Sequence, residues 1–275
     1  MILERDVVVV GGPDTFSFLQ SLVSQDVDGL ADGAVVASLL LTPKGKVDSF
    51  FRVVRVGDDA WLDVEAGFGD ALRGALERFK LRVKVEISAP DVPWGMVALR
   101  GETGVRVVPA APDSCAVLPV AWSTGAGVDV IGPRELLDDL PVAPDGLEAD
   151  AYERLRIEAG VPRLGRDLDD SVIPQEAGLE RDAVSFTKGC FLGQELVARI
   201  DSRGHVNRLL RRLRPGDGTA VLAPGAEITV DDTAVGAVTS AVPGVALGYV
   251  RREIAPPAPA TVAGTPVTIE LLPTV

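Results

Sequence analysis

The sequence predicts an α+β protein, with antiparallel sheets flanked by helices and a small C-terminal β-barrel. Three observations predict it. The first ninety or so residues read strand, helix, three strands, helix, strand, joined by turns that suit antiparallel neighbours. A well-patterned helix follows near position 150. After Arg208 helical periodicity gives way to short strands separated by Gly and Pro.

Taken in order, Val7 to Val10 is a β-branched run stopped by Gly11-Gly12-Pro13. Asp14 then offers an N-cap to a helix whose Phe18, Leu19, Leu22 and Val23 recur at helical spacing. "GGPDTF" lacks the third glycine of a dinucleotide fingerprint and carries a proline, so that reading is rejected. Val35 to Leu41 and Val47 to Val56 form a hairpin around Thr42-Pro43-Lys44-Gly45. Ala60 to Ala66 is a third strand, and Gly69 to Leu81 a helix facing inward through Leu72, Ala75, Leu76 and Phe79. Val83 to Ile87 closes the first lobe as a strand.

"WGMVALRG", "AVLPVAW" and "GVDVIG" read as strands and "PRELLDDL" as a short helix. The helix Ala149 to Ala159 turns Tyr152, Leu155 and Ile157 or Ala159 inward, and Gly160-Val161-Pro162 ends it. The last segment supplies the strands "AEITV", "TAVGAVTSAV", "VALGYVRRE" and "TPVTIELL", with Ala255 to Gly264 as a loop between them. This divides the chain into lobes 1–90 and 91–205 and a barrel 206–275.

Composition limits the function. No apolar run reaches the roughly eighteen residues of a membrane span, and "MILERD" lacks the basic start of a secretory leader. Two cysteines and one histidine argue against a disulfide framework or structural zinc, and the expected location is cytoplasmic. A net charge of −13 argues against direct nucleic-acid binding. Within that acidic chain Arg199, Arg203, Arg208, Arg211, Arg212 and Arg214 form a local basic run with only Asp201 against them. Such a run is either a solvated face or the lining of an anion-binding cleft.

The chemistry concentrates in "SFTKGCFLGQELVAR". A thiol acts as nucleophile or metal ligand only as thiolate, which a neighbouring cation and a helix N-terminus both favour. Lys188 stands two residues before Cys190, and "FLGQELVARI" reads as a helix burying Leu192, Leu196 and Val197. Cys190 at or just before its first turn, with Lys188 beside it, is the candidate catalytic pair. Cys115 opens an apolar strand and reads as structural, and His205 as a solvated or packed imidazole.

The octapeptide "KGCFLGQE" resembles the signature of the folate-binding YgfZ family, which is related to the T-protein (aminomethyltransferase) of the glycine cleavage system. "FLQSLVSQDV", "LLTPKGKV", "RLRIEAGVPRLGRDL", "IPQEAGLE" and "VGAVTSAVPGVALGYVRR" fit the same family in order. The resemblance implies a T-protein-like fold with a central folate cleft and a C-terminal barrel. It implies tetrahydrofolate or a derivative as cofactor and a role in the synthesis or repair of iron–sulfur proteins, with consequences for tRNA modification. Iron–sulfur clients or assembly factors are the implied partners.

Glu158 in "RIEAG" matches the T-protein glutamate that binds tetrahydrofolate, and a carboxylate suits the N–H edge of a pterin. Gln194 stands where T-proteins carry an arginine, and Asp48 lies near their catalytic aspartate. With Asp26 and Arg199 these complete the candidate cofactor-binding set; the arginines after His205 suit the polyglutamate tail of folate better than phosphates of RNA, because the whole chain is acidic. Loss of the arginine and gain of Cys190 shift the reading from aminomethyl transfer to thiol chemistry. The alternative is a tetrahydrofolate-dependent aminomethyl or one-carbon transferase, with Asp48 or Asp26 as acid–base group. A third reading is a non-enzymatic partner-binding protein, for which Cys190→Ser is harmless.

Overall fold

Strand β1 (Leu3–Gly11) is the axis of the main sheet in the computed structural model, which describes residues 1–101, 114–140 and 146–273. Its four-valine run pairs antiparallel with β4 (Asp59–Glu65) on one side and with β6 (Trp94–Arg100) on the other. With β2 (Val35–Leu41), β3 (Val47–Val56), β7 (Ala116–Trp122) and β8 (Gly125–Pro133) the order is β2-β3-β4-β1-β6-β8-β7. The short β5 (Glu86–Ser88) also pairs with β1. Sheet pairing therefore runs through position 90, where the sequence reading sets a lobe boundary.

Helices α1 (Thr15–Leu22) and α2 (Gly69–Glu77) bury Phe18, Leu19, Leu22 and Leu72, Ala75, Leu76. Both helices differ from the sequence reading at their ends. Asp14 gives α1 no side-chain cap; its carboxylate instead accepts from the Lys84 N–H at 2.7 Å. Helix α2 stops at Glu77 rather than Leu81, because Leu81 is 78% exposed and Arg82 has a positive φ. The same turn shortens the expected Val83–Ile87 strand to β5. Asp6, from β1, caps α2 by accepting from the Gly67 and Gly69 N–H groups at 2.9 and 2.8 Å. A carboxylate there meets both free amides and the positive end of the helix dipole.

One face of this sheet carries buried charge. Asp63 accepts from Arg5 and Arg52, and Asp129 from Arg52 and Arg100, so the ion pairs link five neighbouring strands. Burial pushes the Asp63 pKa up, but the two guanidiniums outweigh it and hold the group below the ordinary aspartate value.

The chain forms two compact units. The first holds the main sheet, helices α1, α2 and α3 (Arg134–Asp138), and the segment Glu180–Gln194. The second holds α4 (Ala149–Ala159), a 3-10 turn at Pro174–Glu176, most of α5 (Gln194–Arg203) and the C-terminal strands. Those strands are β9 (Arg208–Pro215), β10 (Glu227–Val230), β11 (Thr233–Val242), β12 (Val245–Arg251), β13 (Ala258–Val262) and β14 (Thr265–Glu270). They close as the barrel β10-β11-β12-β9-β14-β13 around Leu213, Ile228, Val238, Val250, Val262 and Ile269.

Strand β13 corrects the loop expected at Ala255 to Gly264. Its prolines argue against a strand, yet β10 pairs only with Thr261 and Val262, so Pro259 lies in the half that β10 leaves unpaired. A missing N–H costs no ladder bond there.

Helix α4 holds a second surprise. Its buried side includes Ile157 and Ala159, but also Arg156, which is 2% exposed. Arg156 donates to Glu153, to Asp167 at 2.8 Å, to the Val161 carbonyl at 2.5 Å and to Ser240 Oγ at 2.9 Å. Every bond lies within the second unit, and the one to Ser240 ties α4 to barrel strand β11.

Candidate functional site

Cys190 is exposed, on a loop that is not itself loose. The segment 182–188 is bonded along its length to Val23–Gln25, just after α1. Buried Ser24 is the hub: its Oγ donates to the Ala183 carbonyl at 2.6 Å and accepts from the Leu39 N–H at 2.9 Å. Its carbonyl accepts from the Ser185 N–H at 2.9 Å. Gln25 Nε2 donates to the Asp182 carbonyl at 3.0 Å. Lys188 Nζ closes the row, donating to the Val23 and Gln25 carbonyls at 2.7 and 2.9 Å. Within the loop, Ser185 Oγ accepts from the Lys188 N–H at 3.2 Å.

Lys188 is thus a clamp as well as a charge. Burial pulls its pKa down to about 8, and the nearby Asp26 carboxylate pulls it part of the way back. Asp26 itself is exposed and accepts from Gln20 Nε2 at 2.9 Å.

The helix expected to begin at or just after Cys190 begins at Gln194, four residues past the cysteine. Two reasons are visible. Gly193 has φ +76°, which ends the loop with a left-handed turn, and the Gln194 side chain accepts from the Phe191 N–H at 3.2 Å. Gln194 therefore acts at the start of α5, and the thiol lies outside the first helical turn. Of the three residues expected to be buried, only Val197 is; Leu192 and Leu196 are half-exposed.

Asp48 is exposed at the start of β3 and borders a cavity of about 420 Å³ lined by Ser49, Phe68, Asp70, Leu72 and Arg78. Cys190, Lys188, Asp26, Asp48 and Gln194 belong to the first unit, and Glu158 and Arg199 to the second. Arg199 is exposed on α5 and His205 is exposed after it. Cys115 is half-buried where Gly132 has no Cβ, and burial raises its pKa, in keeping with a structural thiol.

Glu158, at the end of α4, is bound on both oxygens by Arg214: Nη1 donates to Oε1 at 2.9 Å and Nη2 to Oε2. Arg212 donates to the Glu158 carbonyl at 2.8 Å and to Glu270 at 2.8 Å. The Arg214 hydrogen bonds hold the Glu158 carboxyl below the usual range despite its partial burial. Arg208 likewise meets Glu176 at 3.2 Å. The basic run on β9 is thus largely matched by carboxylates of its own unit, which net charge alone does not reveal.

Ser24 and Arg156 escape sequence reasoning. Nothing in "LVSQDV" marks the serine as a hub, and Arg156 looks like a solvated charge on a polar helix. Its spacing from Tyr152 and Ala159 is the one signal that it lies on the inward side.

Comparison with known proteins places this geometry. Residues 211–274 match the CAF17 C-terminal beta-barrel domain. The tRNA-modifying protein YgfZ of Klebsiella pneumoniae (strain 342) is 31% identical over 241 residues, covering 80% of this chain and 71% of that protein. The chain belongs to the YgfZ family. Within reach of this family lies the mitochondrial iron–sulfur cluster assembly factor IBA57 homolog of Mycosarcoma maydis, 31% identical over 221 residues, 74% of this chain and 54% of that one. The fold is that of glycine cleavage system aminomethyltransferase T from Bartonella henselae, whose crystal structure superposes with a TM-score of 0.81 at 20% identity, over 99% of this chain and 85% of that one. This member of the YgfZ family thus pairs an aminomethyltransferase-like fold with a cysteine loop. None of its described helices is long and apolar enough to cross a membrane.

Proposed function

We propose that this chain is a folate-binding accessory factor in the synthesis or repair of iron–sulfur proteins, with Cys190 as its working thiol and tRNA modification affected through iron–sulfur enzymes. The observation that carries the reading is the exposed thiol on a loop fixed by Ser24, Gln25 and Lys188. The names of its relatives, a tRNA-modifying protein and an iron–sulfur cluster assembly factor, point the same way.

A thiolate is the natural ligand of a cluster iron. Among the described residues no group of three or more His, Cys, Asp or Glu is arranged to hold a metal ion. A cluster handled at Cys190 is therefore cargo, and takes its remaining ligands from a client or assembly protein. Lys188 holds the loop and places positive charge in the same turn. The expected location of this work is the cytoplasm.

For folate, Glu158 is the pterin ligand of the proposal. A carboxylate offers about four acceptor positions, and the Arg214 fork takes one on each oxygen, so acceptors remain for a pterin N–H edge. Gln194, Asp48, Asp26 and Arg199 are the further contacts proposed. A second reading, one-carbon transfer from tetrahydrofolate, is favoured by Asp48, whose carboxylate borders a cavity at an aminomethyltransferase-like fold.

The test is complementation. Cells lacking the protein receive wild type or Cys190→Ser, and a cluster-dependent enzyme is assayed beside tetrahydrofolate binding by the purified proteins. A serine form that binds folate but restores no activity upholds the thiol. Full complementation by the serine form removes it and moves the weight to one-carbon transfer, assayed with tetrahydrofolate carrying a labelled carbon.

A further inference from the structure

The cavity beside Asp48 has a buried hydroxyl in its wall with nothing bonded to it. Ser49 lines the cavity and is 4% exposed, and its Oγ makes no hydrogen bond among the described residues. A polar group buried in this way costs its desolvation until a partner meets it. The strand ladder explains how the side chain comes to the cavity. Strand β2 pairs Leu40 with Ser49 and Leu41 with Val47, which leaves Asp48 as the extra residue of a bulge. A bulge re-aims side chains, and here two successive residues, Asp48 and Ser49, line one space.

Helix α2 supplies most of the remaining lining, and Gly74 in its interior is a second oddity. Glycine destabilises a helix interior relative to alanine. Packing does not require it here, because a Cβ at 74 would have nothing within 4 Å. What the missing side chain leaves is room at the cavity. Phe68, Leu72 and Ala75 give an apolar surface, and the volume of about 420 Å³ is that of a small-molecule site. Two opposite charges complete the lining. Asp48 and Arg78 are exposed, and neither has a hydrogen bond or ion pair among the described residues. Asp70, the other carboxylate there, is paired with Arg73 at 3.0 Å.

We propose that this cavity binds a free amino acid with an apolar side chain. Asp48 takes the ammonium, Arg78 the carboxylate and Ser49 one further hydrogen bond, while Phe68 and Leu72 meet the side chain. An unpaired carboxylate and an unpaired guanidinium on one cavity match a ligand that carries both charges. A simple amine leaves Arg78 unmatched, and a simple carboxylic acid leaves Asp48 unmatched. A phosphate ester is disfavoured, because it sets a dianion beside Asp48 with one cation to meet it. Asp48 is also among the contacts of the folate reading, but the amino-acid site does not rest on that reading, and no folate enters its test.

The experiment is calorimetric binding to the full chain. The probes are L-phenylalanine, L-leucine, phenethylamine, which lacks the carboxylate, and phenylpropionate, which lacks the ammonium. The expected result is that L-phenylalanine or L-leucine binds, and that both single-charge analogues bind about tenfold or more weakly, the scale of one charge-assisted pair. Arg78→Gln brings L-phenylalanine down to the level of phenethylamine and leaves phenethylamine unchanged. Ser49→Ala weakens binding about fivefold yet melts no lower than wild type, because no hydrogen bond within the chain is lost. Gly74→Leu fills the space and abolishes binding. It too melts no lower, since leucine favours a helix and its Cβ meets open space. Glu77→Gln, on α2 outside the cavity lining, binds as wild type does. Binding of the amine as tight as that of the amino acid, undiminished binding by Gly74→Leu, or no binding of either amino acid at millimolar concentration overturns the proposal. Each of these outcomes leaves the folate reading standing, and a failure of tetrahydrofolate to bind leaves this site standing.

Discussion

Gly193 stands directly against the Thr42 carbonyl: a Cβ at 193 would lie 2.4 Å from that oxygen and 2.9 Å from the Leu41 Cβ. The tip of the β2–β3 hairpin and the end of the cysteine loop therefore meet backbone to backbone, which joins the "LLTPKGKV" and "KGCFLGQE" motifs in space. Gly193→Ala has to move the hairpin and hold φ +76° with a side chain. It is expected to destabilise the protein by about 2 kcal/mol or more. Urea unfolding measures this; a change within about 0.5 kcal/mol, as at an ordinary surface position, contradicts the contact.

Lys188 predicts a pH dependence. Its folded-state pKa, about 8, lies below the ordinary 10.5, so the folded protein binds this proton less tightly than the unfolded chain does. The cost of burying the charge is fully present below pH 8, falls as pH rises from 8 to 10.5, and is absent above. The stability of wild type minus that of Lys188→Met should therefore rise between pH 7.5 and 10. A flat or falling difference in denaturant melts at several pH values counts against the buried ammonium.

Arg156→Met should cost about 3–5 kcal/mol, because it leaves Asp167, 2% exposed, without its cation and strips Glu153 of its shortest ion pair, leaving it only Arg163 and Arg166 at 3.5 and 3.7 Å. Arg156→Lys keeps the charge but cannot reach Glu153, Asp167, Val161 and Ser240 together, so it recovers only part of the loss. Equal stabilities of the Met and Lys forms would show that packing, not charge, holds α4.

Asp63→Asn removes the anion between Arg5 and Arg52 and is expected to cost about 3–5 kcal/mol at pH 7. The Asp63 pKa is lowered on folding, so its contribution is complete above the ordinary aspartate value and disappears as pH falls through the folded one. The gap between wild type and Asp63→Asn should therefore narrow below about pH 4. Acid titrations of the two proteins that stay parallel through that range would exclude the ion pair as the cause.

The strands and helices that stand out by period are the legible part of this fold. The β2 and β3 bounds, helix Ala149–Ala159 and strand Thr233–Val242 follow from apolar alternation and Gly–Pro stops, and the structure keeps them. Period fails where a distant group decides. Helix α2 is capped by Asp6, some sixty residues earlier, and Pro259 is admitted to a strand because β10 stops short of it. At the candidate site the sequence marks Cys190 and Lys188, but not that Lys188 is spent on two carbonyls. It marks Glu158, but not that Arg214 holds it. Pairing partners from other strands leave no trace in a residue's own neighbourhood.

The bonds that fix the cysteine loop also set an order of events. Ser24 and Lys188 join partners separated by 159 and 165 residues, so these contacts close one of the longest loops in the chain. As the polypeptide emerges, α1 and the strands after it can pair while the Val23 and Gln25 carbonyls still face water. The thiol gains its fixed setting only when Lys188 arrives, with more than half of the chain already made. Until then Cys190 does not exist for a client to meet, and a truncated product carries the sheet without the clamp.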